Sequence, residues 1–205
     1  MTKKIPSVEQ CLEYMDRYEM LDNIRDHSHI VALVSEVLLD ALTQSNEATP
    51  PLPDKKETIA GALLHDIAKT HCIKNGGNHA EKGEQICREL GYPEIGTIVA
   101  EHVVLSDFNG DRYRQGIFTA KELVYYADKR VRHDKVVSLD ERLEYIIERY
   151  GDANPLKEHH IRLNFEKILL FETCLFKFLD FEPFELSEHL QQRQPLTDTQ
   201  LPRHL

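Results

Sequence analysis

The chain has 205 residues, 41% of them hydrophobic and 29% charged, with a formal net charge of −10. That is long enough for one domain with a substantial core, and no apolar run approaches the ~20 residues of a membrane span. The acidic balance argues against long nucleic acid as a partner, since phosphate backbones are bound by lysine and arginine.

The opening MTKKIPSVEQ has no apolar core or small-residue cleavage site behind its lysines, and the four scattered cysteines, Cys11, Cys72, Cys87 and Cys174, include no C-x-x-C pair. Both features point to a cytoplasmic protein with reduced thiols. The compositional oddity is eleven histidines, since histidine is the commonest side-chain metal ligand.

Helix signals dominate in chain order. Ser7-x-x-Gln10 opens a helix over about 7–19, and a second runs over about 22–44 until Pro50, Pro51 and Pro53 bar its continuation. Asp54-x-x-Glu57 opens 55–71, Asn78-x-x-Glu81 opens 79–90, and Gly91-Tyr92-Pro93 separates that helix from one over 93–105. The polar stretch from Leu105 to Thr119 reads as a loop of the kind that often forms lids. Thr119-x-x-Glu122 and Ser138-x-x-Glu141 then open helices over 120–133 and 139–150, and a last helix covers 156–180. No segment alternates as a strand. The resulting expectation is an all-α protein, a bundle of about seven to eight helices. An N-terminal helix (1–20) packs on a main domain (21–151), followed by a helical extension (152–182) and a polar, poorly ordered tail (183–205).

At 100° per residue, Ile24, Val31, Val34, Leu38 and Leu42 form the apolar stripe of the second helix. His27 falls within that stripe, while His29 falls nearly opposite, beside Arg25 and Glu36. His79 shares a face with Gly83, Ile86 and Leu90; His102 with Ile95 and Val99; Asp128 with Val124 and Val131. The helix containing AGALLHDIAK is apolar almost all round, so His65 and Asp66 are both expected to be buried. A lone inward histidine is more often a hydrogen-bonded core residue than a ligand. Buried aspartates, however, are costly unless a cation or strong hydrogen bonds compensate them. Four histidines and two aspartates on inward faces are best explained by shared ions. Imidazole and carboxylate together suit Mn, Fe, Co, Ni or Zn. Six such groups exceed a closed structural zinc site and can hold two ions with positions left for water and substrate.

The order His27, His65-Asp66, His79, His102, Asp128, in the contexts HSHIVA, LLHDIAK, HAEKGEQI, IVAEH and YYADKRV, resembles the HD superfamily of metal-dependent phosphohydrolases over about Ile24 to Val131. The resemblance implies that His27, His65, Asp66 and Asp128 are core metal ligands and that Asp66 bridges a second metal. His79 and His102 are the additions of dinuclear members, so two divalent transition metal ions are expected. Ala68 stands where many members have glycine, as in branches that cleave dinucleoside polyphosphates, and leaves the ligands untouched. The implied chemistry is attack of a metal-activated hydroxide on a phosphate ester or anhydride of a small molecule, a nucleotide or dinucleotide. Lys69 is the first choice for a phosphate contact, acting with Asp66 at the catalytic centre.

Lys129, Arg130, Arg132, His133 and Lys135 form the densest basic cluster. Lys129 and Arg132 are substrate-binding candidates, with a solvated helix end as the plain alternative for Lys129, Arg130 and Lys135. Arg112 and Arg114 are weaker lid candidates, and Arg142 pairs either with a carboxylate or with substrate. Two other functions fit the same ligand set or fold: a di-iron HD-type oxygenase and a non-catalytic ligand-sensing domain.

Overall fold

The computed structural model describes residues 3–191 and 193. It is mostly all-α, with one minimal β-ladder. Helix α1 (Val8–Arg17) is closed by a capping box, in which Gln10 N–H donates to Ser7 Oγ and Ser7 N–H donates to the Gln10 side chain. Helix α2 (Asp22–Gln44) and helix α3 (Lys55–Leu64) pack against each other at the centre. Every residue of α3 from Thr58 to Leu64 is buried, because α1, α2 and two helices introduced below surround it.

The expected helix over 55–71 breaks at residues 65–68 and resumes as α4 (Lys69–Asn75). Helices α5 (His79–Glu89) and α6 (Pro93–Glu101) form the tightest antiparallel pair. Glycines permit the closest approaches of α6 to its neighbours. A β-carbon on Gly61 of α3 would lie 2.7 Å from Ile98, and one on Gly83 of α5 would lie 2.6 Å from Val99 Cγ1.

The expected loop between Leu105 and Thr119 contains a short helix, α7 (Gly110–Arg114). Asn109 caps it by accepting from Arg112 N–H, Gly116 turns the chain at φ +73°, and Tyr113 is fully buried against Phe118 and Phe171. Helix α8 (Ala120–Arg130) follows, stopped by a hairpin of β1 (Val131–Arg132) and β2 (Lys135–Val136), with Val131 opposite Val136. A two-residue ladder is too short to show alternation in sequence.

Helix α9 (Leu139–Tyr150) and helix α10 (Pro155–Leu175) pack together beside α8. Helix α10 ends five residues earlier than the expected position 180 and passes into a 3₁₀ turn, Phe176–Phe178. Within the expected polar tail, α11 (Leu186–Gln191) buries Leu186 and packs on α2. Arg193 donates to Asp40 at 2.6 Å; the rest of the tail lies outside the described residues. One helical-wheel placement is corrected. Glu36, assigned to the outer face of α2 with His29, is 3% exposed and pairs with Lys55 Nζ at 2.9 Å, because α11 and Arg193 cover that side.

Candidate metal centre

The adjacent His65 and Asp66 stand at the break that follows α3. Here the backbone tightens, with Ile67 N–H bonded to Leu64 O at 3.0 Å and Lys69 N–H to Asp66 O at 2.9 Å. His65 Nε2 and Asp66 Oδ2 lie 3.4 Å apart, with both residues at most 1% exposed.

The other four residues converge from separate elements. His27 comes from the first turns of α2, and His79 is the first residue of α5, whose N-cap Asn78 accepts from Ala80 and Glu81 N–H. His102 closes α6, and Asp128 lies near the end of α8. Asp66 Oδ1 is 3.3 Å from His79 Nε2 and 3.6 Å from His102 Nε2. Asp128 Oδ1 is 3.0 Å from His27 Nε2 and 3.7 Å from His65 Nε2. All six residues predicted as ligands are therefore brought together. His29, half-buried on another face of α2, is not among them.

Backbone carbonyls fix the imidazole tautomers. His65 Nδ1 donates to Ala62 O at 2.7 Å, His102 Nδ1 to Val99 O at 2.6 Å, and His27 Nδ1 to His133 O at 3.0 Å. A carbonyl only accepts, so each Nδ1 carries the proton and each Nε2 turns a lone pair inward. This outer hydrogen bond is the usual support of a metal-ligating histidine. The His133 carbonyl is presented by the left-handed turn of the β1–β2 hairpin, where His133 has φ +55°.

Cations surround the two carboxylates. Lys69 Nζ donates to Asp66 Oδ2 at 2.7 Å, and Lys129 Nζ donates to Asp128 Oδ2 at 2.6 Å and to His102 O at 2.8 Å. Arg142 Nη2 stands 3.6 Å from Asp128 Oδ1. Burial works against charge on both aspartates, but Lys69 for Asp66, and Lys129 and Arg142 for Asp128, hold each well below the usual carboxylate range. Burial also keeps histidines neutral. It lowers His27 and His102, and it takes His79 down to about 4. For His65 the burial penalty is outweighed by Asp66 and Asp128, and its pKa rises.

Neutral imidazole lone pairs facing ionised oxygens repel one another unless a cation lies between them. His65 Nε2 and Asp66 Oδ1 are buried without any hydrogen-bond partner among the described residues, an arrangement that is expensive in a finished core. Two groups of side chains, His27–His65–Asp66 and Asp66–His79–His102, each place one ligand atom per residue within 4.8 Å of the others. Asp66 belongs to both. The donor set thus fits divalent metal.

The family model for the HD domain matches residues 24–132, a little over half of the chain. The chain belongs to the HD-domain family. Members of that family are generally metal-dependent phosphohydrolases. No solved structure gives a significant match. Among the described residues, no helix is long and apolar enough to cross a membrane.

The basic residues of this HD domain divide sharply. Lys69 and Lys129 face the ligand set; Lys129 is 4% exposed, so it is not a solvated helix end. Arg130 is also buried, donating to Tyr126, Glu172, Val137 O and Pro183 O, which makes it a strut between α8 and the C-terminal segment. Arg132 is exposed, lies 4.7 Å from the Tyr145 ring centroid, and lines neither cavity beside the centre. Arg112 pairs with the buried Glu122, which ties α7 to α8, and Arg114 pairs with Asp111 within α7; neither lines the cavities beside the centre.

Arg142, left undecided by sequence, lines both cavities with Arg149 and Tyr150 of the same helix. Spacings of seven and eight from Arg142 put these residues on one face of α9, a signal that was present in the sequence.

Proposed function

We propose that the protein is a metal-dependent phosphohydrolase that cleaves a phosphate ester or anhydride bond of a small molecule, a nucleotide or dinucleotide. The observation that carries this reading is the shared carboxylate: Asp66 stands between two groups of metal-type donors, with Oδ1 unpartnered and Lys69 on Oδ2. His27, His65, Asp66 and Asp128 would hold one divalent transition metal ion, and His79 and His102 with Asp66 a second. Such ions, when bound, lower the pKa of water and offset charge on phosphoryl oxygens.

The protein's own groups do the rest. Lys69 keeps Asp66 ionised while leaving 27% of its side chain exposed toward the cavities, where its ammonium meets a phosphoryl oxygen. Lys129 has hydrogen bonds committed to Asp128 and to the His102 carbonyl, so it positions one carboxylate and one histidine relative to each other. The carbonyls of Ala62, Val99 and His133 hold the rings in the tautomer that leaves Nε2 free.

Elemental analysis followed by a phosphate-release screen over mono-, cyclic and dinucleotides tests the reading. Release that requires divalent metal is expected. Absence of release across the panel, with oxygen consumed by the iron-loaded protein, would assign the site to oxygen chemistry instead.

A further inference from the structure

The ligand set comes from residues 24–132, but the wall that faces it does not. Two adjoining cavities open above the centre, and Lys69, Ile73, Arg142, Arg149 and Tyr150 line both. Three of those five belong to α9, outside the matched domain. The first cavity, about 430 Å³, is the more polar of the two, with His27, Asp66, Asn23 and His133 on its walls. The second, about 500 Å³, has His79, His102 and Asp128 at its base and an apolar wall of Val103, Val104, Ile146, Ile161 and Phe165.

Two independent features mark this cleft as a place for a ligand. The first is Arg142, 8% exposed, whose Nε is buried without a partner among the described residues and whose nearest carboxylate contact is a loose 3.6 Å. A guanidinium so enclosed and so little bonded is suited to a bidentate anion. The second is the distribution of exposed apolar side chains. Of the nine large ones among the described residues, four (Ile73, Val103, Val104 and Tyr150) ring the second cavity, far more than scattered exposure gives.

Two polar groups beside the apolar wall are already committed. Asn164 accepts from Tyr125 Oη at 2.8 Å and donates to Val103 O at 3.1 Å, and Lys129 is committed to Asp128 and the His102 carbonyl. A ring entering here meets side-chain faces, with Arg149, Tyr150 and His160 also on the lining.

We infer that the substrate is a phosphate ester bearing an aromatic group whose ring is held against this apolar wall. Its phosphoryl group lies between Lys69 and Arg142 in the more polar cavity, and its ring lies against Val104, Ile161 and Phe165 in the apolar one. For turnover this rests on the phosphohydrolase reading; for binding it does not. Nucleotides qualify, whereas small polar phosphates leave the second cavity empty.

Titration calorimetry of Mn²⁺-loaded protein with benzylphosphonate and methylphosphonate, neither of them hydrolysable, tests the inference directly. Benzylphosphonate should bind at least about 10-fold more tightly, the scale of burying one ring. Val104→Asp, at a half-exposed position that tolerates charge, should abolish that preference. Arg142→Met should weaken both ligands. Equal affinity of the wild-type protein for the two phosphonates would overturn the inference without any variant, as would loss of both affinities alike in Val104→Asp. Aromatic preference without phosphate release from any ester would support this subsite and sink the hydrolase reading.

Discussion

His79 Nε2 lies 3.2 Å from His102 Nε2, and both face Asp66 Oδ1. His102 has its proton on Nδ1, bound to the Val99 carbonyl, so its Nε2 offers a lone pair to whatever joins the three groups. A proton on His79 could join two of them, whereas a metal ion joins all three. His79→Ala should therefore lower bound metal from two ions to one per chain, measured by elemental analysis, with the His27–His65–Asp66 group still loaded. Loss of all metal would mean that the two groups do not fill independently.

His27 and His29 are two residues apart on α2, yet only His27 reaches Asp128, at 3.0 Å. His27→Ala should strip metal from the first group, while His29→Ala should leave metal content unchanged. Equal loss from both variants would contradict the helical-face assignment.

Lys129 is the main compensation for the buried Asp128 carboxylate in the metal-free protein. Removing it as Lys129→Met should cost roughly 2 kcal/mol, a fall in Tm on the order of 5 °C for a chain of this size. Divalent metal should narrow the deficit, because a bound cation supplies the charge that the lysine no longer does. A deficit that stays the same with and without metal would place Lys129 outside the electrostatics of the centre.

The fold class and the ligand set were legible because both rest on periodicity: apolar faces repeat at helical spacing, and six polar residues interrupt them at inward positions. What stayed hidden depends on tertiary contact. The break at His65–Asp66 carries no glycine or proline to announce it. The short helix α7 was signalled by Asn109 and Gly116 but is too brief for a periodic pattern. The burial of Glu36 comes from the C-terminal segment folding back over α2, and a wheel drawn for one helix cannot show that. Arg142 was visible as an arginine but not as a wall of the site, since its role needs α9 laid across the end of α8.

Gly83 lets α5 approach α6 so that His79 can meet His102. In Gly83→Ala the new methyl would lie 2.6 Å from Val99 Cγ1, inside a packed interface. The helices must part, at a cost of ~1–3 kcal/mol. Thermal unfolding should show the loss of stability, and metal titration should show weakened binding at the Asp66–His79–His102 group specifically. A stable variant with full metal content would show that this close packing does not position the histidines.

Phosphate release from a nucleotide panel, compared between metal-loaded protein, chelator-treated protein and metal-supplemented Asp66→Asn, bears most directly on function. A metal-dependent phosphohydrolase predicts release by the loaded protein alone, with chelation abolishing it and Asp66→Asn lowering it by about 100-fold or more. Release that persists undiminished after chelation or in Asp66→Asn would contradict that function.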